Sequence, residues 1–278
     1  MRLATVDTPG GRTFGAVTDR GLVDVRARSG GRYPDLRSWL AAGADAVPDF
    51  VETDYDLADI AWRPVVPNPG KIICVGLNYR DHRAETGNTV SAHPAIFLRT
   101  PSSQVGHDEP LLQPRESATL DYEGEIAIVV GRAGRRIPRR EAWRHVAGIS
   151  CYNDGSVREF QRHTAQYTAG KNFPRTGGFG PWMTTMDELE PVGVLALSCR
   201  VNGRTVQNAT TDQMIFPIEE IIEYTSTVFS LDPGDVIVTG TPGGVGSRKT
   251  PPVFLAAGDV VEVEVSGVGV LRNTVVDE

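Results

Sequence analysis

Short runs of alternating or continuous apolar residues, separated by Gly and Pro turns, dominate the chain. Near the start, "RLATVD", "RTFGAVTD" and "GLVDVRA" read as short strands between Gly-rich turns. "YPDLRSWLAAGADAVPDFVE" changes period: Leu36, Trp39 and Leu40 fall on one helical face, which predicts a short amphipathic helix. The Pro-punctuated "RPVVPNPG", Arg63 to Gly70, reads as a boundary. Residues 1–68 are therefore expected to form a small N-terminal α+β domain and residues 69–278 the main domain.

Beyond the boundary, "KIICVGLNY" predicts a strand, and "NYRDHRAETGN" a short helix with Asn78 placed to cap it and Gly87 to end it. A helix of about two turns is marginal alone, so neighbours or a ligand must hold it. Further strands are expected in "PAIFLRT", "GEIAIVVG", "HVAGISCYN", "LALSCRVNG", "DVIVTGT" and "DVVEVEVSGVGVLRNTVV". Helical patterns are fewer: "RREAWRHV", "FQRHTAQ" and "FPIEEIIEYTSTVF", the last with Ile218, Ile221, Ile222 and Thr225 on one side. The pattern is a β-rich α+β chain. Strands and helices do not alternate, which argues against a doubly wound sheet.

Composition adds bounds. With 278 residues and 40% hydrophobic content, the chain can bury a sizeable core. A net charge of -7 gives no footprint for nucleic acid, and any anion site must bring its own cations. Cys74, Cys151 and Cys199 are far apart, odd in number and apolar in context, so buried thiols in a reducing cytoplasm are expected. The N-terminus lacks the apolar segment of a secretory signal, and no apolar run approaches the ~18 residues of a membrane span.

Candidate chemistry begins at "DYEGEIAIVVG". Side chains two apart share a strand face, so Glu123 and Glu125 project together, and Gly124 leaves the other face open to close approach. Adjacent carboxylates repel, and a hard divalent cation such as Mg²⁺ or Mn²⁺ resolves the repulsion. Spacing alone does not decide this: Glu262 and Glu264 in "VVEVEVSG" alternate with valines, as on a half-buried strand with a solvated face. The first pair differs because the run after it is continuously apolar. Asp121 has the same parity but lies further out, and is expected to support the strand entry rather than bind metal.

Other motifs are ambiguous one at a time. Asp154 in "YNDGSVREFQ" could add a third carboxylate, and Arg158 and Gln161 share a helical face; the same stretch also reads as an Asn-Asp-Gly turn. Lys171 in "TAGKNF" reads as a surface lysine unless a substrate needs a point charge. His82 and Glu85 have the spacing of an oriented general base, which is also common on helix surfaces. "VTGTPGGVG" fits neither a P-loop nor a dinucleotide fingerprint, although its backbone amides could bind a carboxylate.

Taken in order, "VGLNYRDHRAE", "PAIFLRTPSSQVG", "DYEGEIAIVVG", "YNDGSVREFQ", "QYTAGKNFPRTGGFGPWM" and "LDPGDVIVTGTPGGVG" resemble the fumarylacetoacetate hydrolase family over roughly residues 69–278. The resemblance implies a mixed β-sandwich roll, usually a homodimer. It implies Mg²⁺ or Mn²⁺ on Glu123, Glu125 and Asp154, with Arg158, Gln161 and Lys171 around the substrate's carboxylate and developing oxyanion. It places Thr241 on the substrate carboxylate and His82 with Glu85 as a helix-borne dyad. Departures are Gly155 for the usual Val, Glu159 for Asp, Tyr167 for Trp and Arg99 for Lys; they put substrate identity in question more than activity.

From these pieces the leading expectation is a metal-dependent hydrolase that cleaves a C–C bond of an acylpyruvate, with His82 activating water. The alternative is a decarboxylase or keto–enol isomerase of a 2-oxo dicarboxylic acid on the same electron sink. A catalytically silent 2-oxo acid binding protein is the rival outside enzymology. A two-carboxylate glycosidase is weaker, because Glu123 and Glu125 lie too close together on one strand to flank a sugar.

Overall fold

The computed structural model describes residues 1–43, 52–86, 91–189 and 192–278. Among these, two sheets form a mixed β-sandwich. The larger, eleven-stranded sheet runs Gly21–Asp24, Gly11–Thr18, Arg2–Thr8, Gly177–Thr185, Val146–Asn153, Gly124–Val130, Val236–Val238, Ile72–Gly76 and Ala95–Arg99, with two short strands off this path. The five-stranded second sheet contains Arg204–Thr210, Ala196–Val201, Val260–Val265, Gly269–Asp277 and Leu111–Gln113. Most pairings are antiparallel, but Val236–Val238 joins Ile72–Gly76 in parallel, and Gly269–Asp277 joins Leu111–Gln113 likewise.

Gly124–Val130 is the pivot. All seven of its residues are buried, as the continuous apolar run predicts. Ile126, Ile128 and Val130 face a core shared with Leu197, Cys199 and Val263 of the second sheet. Ala127 and Val129 face a separate core with Phe14, Leu36, Trp39 and Val238. A side chain at Gly124 would place Cβ 2.9 Å from Cys199 Cβ, so the missing side chain lets the sheets close.

The leading strands do not stand apart from this sheet. Arg2–Thr8 pairs with Gly177–Thr185, so residues before 68 extend the main sheet and share its core. The amphipathic helix forms at Leu36–Ala41, capped by Asp35, and buries Leu36, Trp39 and Leu40. Ile218–Val228 buries Ile218, Ile221, Ile222 and Thr225 as expected. Arg139–His145 is a 3-10 helix entered from Pro138. "FQRHTAQ" is not helical beyond Gln161: the chain turns there, and a second short helix, Thr168–Lys171, packs back onto the first.

Two of the longer strands escaped the pattern. Gly177–Thr185, at the centre of the large sheet, carries three glycines and a proline. A Cβ at Gly178 would lie 2.5 Å from Asn273 Oδ1, so close approach explains the residue choice. Arg204–Thr210 is polar because it forms an edge of the second sheet. All three cysteines are buried and free. No helix among the described residues is long and apolar enough to cross a membrane.

Candidate active site

The motifs converge at the end of the large sheet, where Gly124–Val130 begins and Val146–Asn153 ends. The register opposes Gly124 to Asn153, which brings Glu123 beside Asp154; Asp154 N donates to Glu123 O at 2.8 Å. Glu123, Glu125 and Asp154 are all buried, and one carboxylate oxygen from each lies within 4.8 Å of the others. They line a recess of about 140 Å³ together with His82, Arg158, Gln161, Lys171 and Thr241. Every residue expected at the site lines it except Glu85. The decoy pair behaves as its pattern suggests: Glu262 and Glu264 bind Arg200 on a solvated face, at 3.0 and 2.6 Å.

Lys171 is the largest departure from its plain reading as a surface residue. It is 1% exposed, and Nζ lies 2.6 Å from both Glu123 Oε2 and Asp154 Oδ2. Gly170 makes this possible. A Cβ there would lie 2.4 Å from Gln161 N, so the helix Thr168–Lys171 can pack against Arg158–Gln161 and turn Lys171 inward. Burial disfavours the ammonium, but Asp154 and Glu123 outweigh it and raise the Lys171 pKa above its ordinary value.

Arg158 bridges Glu123 Oε1 at 2.6 Å and, through Nε, Asp121 Oδ2 at 2.8 Å. Its Nη1 donates to Gln161 Oε1 at 2.9 Å, while Nη2 is buried without a partner. Burial pushes the Glu123 carboxyl upward, yet Arg158 and then Lys171 overcome this and hold it at about 2. Glu125 differs. Among the described residues its one hydrogen bond comes from Gly240 N, at 2.6 Å; burial, Asp154 and Glu123 push its pKa well above the ordinary value. Asp121 is fully buried and lies outside the triad, accepting from Tyr122 N, Gly246 N, Ser247 N and Arg158 Nε.

The buried charges test whether a cation fits. Four carboxylates, Asp121, Glu123, Glu125 and Asp154, face three cations, Arg99, Arg158 and Lys171. The excess of one negative charge falls on the triad, whose all-oxygen donor set is what Mg²⁺ or Mn²⁺ takes. Glu125, which forms no ion pair among the described residues, is the group a metal would stabilise most.

His82 is buried beside the triad, and burial lowers its pKa, so the ring is neutral at neutral pH. Its Nδ1 has no hydrogen-bond partner and stands 3.7 Å from Glu85 Oε2. Glu85 is itself held by Gly244 N at 2.9 and 3.1 Å. The helix is Arg80–Thr86, and Asn78 does not cap it. Asn78 is fully buried and instead joins Phe216 and Thr239 through three hydrogen bonds. The expected stop at Gly87 lies outside the described residues.

The Gly-rich turn binds carboxylates, but they are the protein's own. Its amides from Gly240, Gly244, Gly246 and Ser247 are taken by Glu125, Glu85 and Asp121. Thr241 Oγ1 donates to Gly124 O at 3.0 Å and accepts from Gln207 Nε2 at 2.8 Å.

The departures have structural meaning. Arg99 is buried; Nη1 binds Asp154 Oδ1 at 2.6 Å and Gly155 O at 2.9 Å, and Nη2 binds Thr176 Oγ1 at 3.0 Å. Gly155 has no room for a valine, since a Cβ would lie 1.9 Å from Thr176 O. Tyr167 lines the recess and meets Phe97 edge-on. Glu159 accepts from Ser117 Oγ at 2.9 Å behind the site. Arg162 and Arg248, also in the lining, carried no sequence signal.

Comparison with known proteins agrees with this geometry. The family model described as fumarylacetoacetate (FAA) hydrolase C-terminal matches residues 71–276. The mitochondrial oxaloacetate tautomerase fahd2 of Xenopus laevis is 37% identical over 285 residues, covering 99% of this chain and 89% of that protein. The solved structure of a fumarylacetoacetate hydrolase from Exiguobacterium antarcticum covers 100% of this chain and of its own, with TM-score 0.88 and 32% identity. That of 5-carboxymethyl-2-hydroxymuconate delta-isomerase from Mycobacterium smegmatis covers 100% of both, with TM-score 0.81 and 30% identity.

Proposed function

The chain belongs to the fumarylacetoacetate hydrolase family, and from that premise we propose that it is a divalent-metal-dependent keto–enol isomerase of a 2-oxo dicarboxylic acid such as oxaloacetate. The observation that carries the reading is His82: a buried, neutral imidazole with an unpartnered ring nitrogen, beside an acidic triad and cationic groups. Glu123, Glu125 and Asp154 would hold Mg²⁺ or Mn²⁺, which supplies Lewis-acid polarisation of the 2-oxo acid's carboxylate and keto oxygens.

The remaining chemistry falls to side chains. Arg158 Nη2, free of protein partners, receives the 1-carboxylate, and Gln161 fixes the guanidinium through Nη1. The Lys171 ammonium, its N–H groups held by Glu123 Oε2, Asp154 Oδ2 and Asp154 O, stabilises through its field the charge that builds on the enol oxygen. His82 takes the C3 proton in the keto-to-enol direction and returns it in the other; the enol oxygen gains or loses its proton by exchange with solvent, which also resets His82, while Lys171 stays an ammonium throughout. No bond between carbons breaks. Thr241 closes the wall behind the reacting carbons.

Hydrolysis of an acylpyruvate, the first expectation from sequence, is the second reading, favoured by the similarity to the Exiguobacterium enzyme. It needs Glu85 to orient His82 for water activation, and Glu85 is engaged by Gly244 N. A homodimer, implied by the resemblance, and a cytoplasmic location, expected from the free thiols, complete the proposal; sedimentation and cell fractionation test them. The activity is tested by following C3–H exchange of oxaloacetate in D₂O by NMR. Metal-loaded enzyme should accelerate it, and His82→Gln should lose about 10²-fold or more. Exchange at the uncatalysed rate with loaded wild type would overturn the proposal.

A further inference from the structure

Two arginines at the mouth of the recess have no role in the mechanism above. Arg162 directly follows the helix Arg158–Gln161, and Arg248 ends the turn Gly246–Arg248. Both are exposed and both line the cavity. Neither guanidinium makes a hydrogen bond or ion pair with a described residue. They stand close enough to feel each other: burial, then Arg158 and Arg248, lower the Arg162 pKa.

Their placement is built, not incidental. Asp121 accepts from Arg158 Nε at 2.8 Å and from Gly246 N and Ser247 N at 2.9 Å each. One fully buried carboxylate thus ties together the two segments that carry the arginines. The recess carboxylates cannot serve as partners, because Arg158, Lys171, Arg99 and Gly240 N already hold them.

Charge balance indicates what belongs there. The inner site carries one excess negative charge, a divalent ion turns that to one positive, and a single substrate carboxylate then neutralises it. A second carboxylate further out would meet no compensating charge from the inner site. Two unpaired guanidiniums at that end supply it.

We propose that Arg162 and Arg248 bind the distal carboxylate of a 2-oxo dicarboxylic acid and so select dicarboxylates over isosteric monocarboxylates. The assignment rests on the 2-oxo acid reading of the inner site and names the groups that read the substrate's other end.

The test compares oxaloacetate with acetylpyruvate, in which a methyl ketone replaces the distal carboxylate. Wild type and the double variant Arg162→Gln/Arg248→Gln are assayed with Mg²⁺ for both substrates. The wild type should prefer oxaloacetate in kcat/KM, and the double variant should lose that preference at least tenfold, mainly through KM. Arg248→Lys should retain part of it, since the charge remains. Calorimetry gives a readout independent of turnover. The affinity ratio of N-oxalylglycine, which has a distal carboxylate, to oxamate, which lacks one, should fall at least tenfold in the double variant. A parallel loss for both members of each pair, or no change in either ratio, overturns the assignment. Wild type that turns over neither substrate while the calorimetric ratio still falls overturns the isomerase reading and leaves the arginine assignment standing.

Discussion

Replacing Asp121 by Asn separates a carboxylate built into the fold from one that merely shares its sequence pattern. Asp121 is fully buried and accepts four hydrogen bonds at 2.8–3.0 Å, two on each oxygen. An amide keeps one acceptor oxygen and turns an –NH₂ towards two of those donors. Each buried donor left unpaired costs about 1–3 kcal/mol. Arg158 would also lose one of its two carboxylate partners, and breaking a buried ion pair costs about 3–5 kcal/mol. A loss of about 3–5 kcal/mol is therefore expected, a large part of a typical total of 5–15 kcal/mol. Urea unfolding reads it as a fall in midpoint of roughly 1 M or more at constant slope. kcat/KM should fall as well, because Asp121 orients Arg158 and anchors the turn at the mouth. Glu264→Gln is the matched control. It lies in the other every-second-residue pair, on the surface, and its bond to Arg200 is worth about 0–1 kcal/mol. If Asp121→Asn costs under about 1 kcal/mol, or no more than Glu264→Gln, the reasoning about buried charge here is wrong.

Further outcomes follow from the same geometry. Gly155→Val, which restores the residue usual in the family, should destabilise by at least about 2 kcal/mol, because its Cβ would sit 1.9 Å from Thr176 O; an unchanged thermal midpoint would contradict the contact. Mg²⁺ at a hundredfold its Kd should stabilise the wild type by about 2.7 kcal/mol, reversed by EDTA, and Glu125→Gln should remove most of that gain; equal shifts in a melting assay would dissociate Glu125 from the metal. Burial lowers the His82 pKa, so its basic form persists to pH values below about 6.5. Activity should thus be flat near neutrality and fall only as pH drops through the folded-state pKa, and His82→Gln should abolish that acid limb. The same shift costs stability below about pH 6.5, where the unfolded imidazole binds a proton that the folded one resists.

Much of the fold could be read from the chain because its signals are local. Continuous apolar residues in Gly124–Val130 predict burial on both faces, and Leu36, Trp39 and Leu40 predict the helix that covers one of them. Gly177–Thr185 was invisible because glycines that permit close sheet packing look like turn residues. The carboxylate pair was legible, and the apolar run behind it told it apart from Glu262 and Glu264. Lys171 was not legible, since its burial comes from Gly170 packing on Gln161, a contact between two helices. Asn78 looked like a cap because caps are short polar residues before helices; three tertiary hydrogen bonds claim it instead. Arg162 and Arg248 are 86 positions apart and acquire meaning only when the fold seats both at one opening.

The most direct test of the account is the fate of oxaloacetate enol with metal-loaded enzyme, followed by ultraviolet absorbance for the enol and by NMR for products. The account predicts Mg²⁺-dependent conversion to the keto form, with no pyruvate or CO₂ beyond the uncatalysed background. Stoichiometric release of pyruvate and CO₂, or no acceleration of the enol's decay, would contradict it.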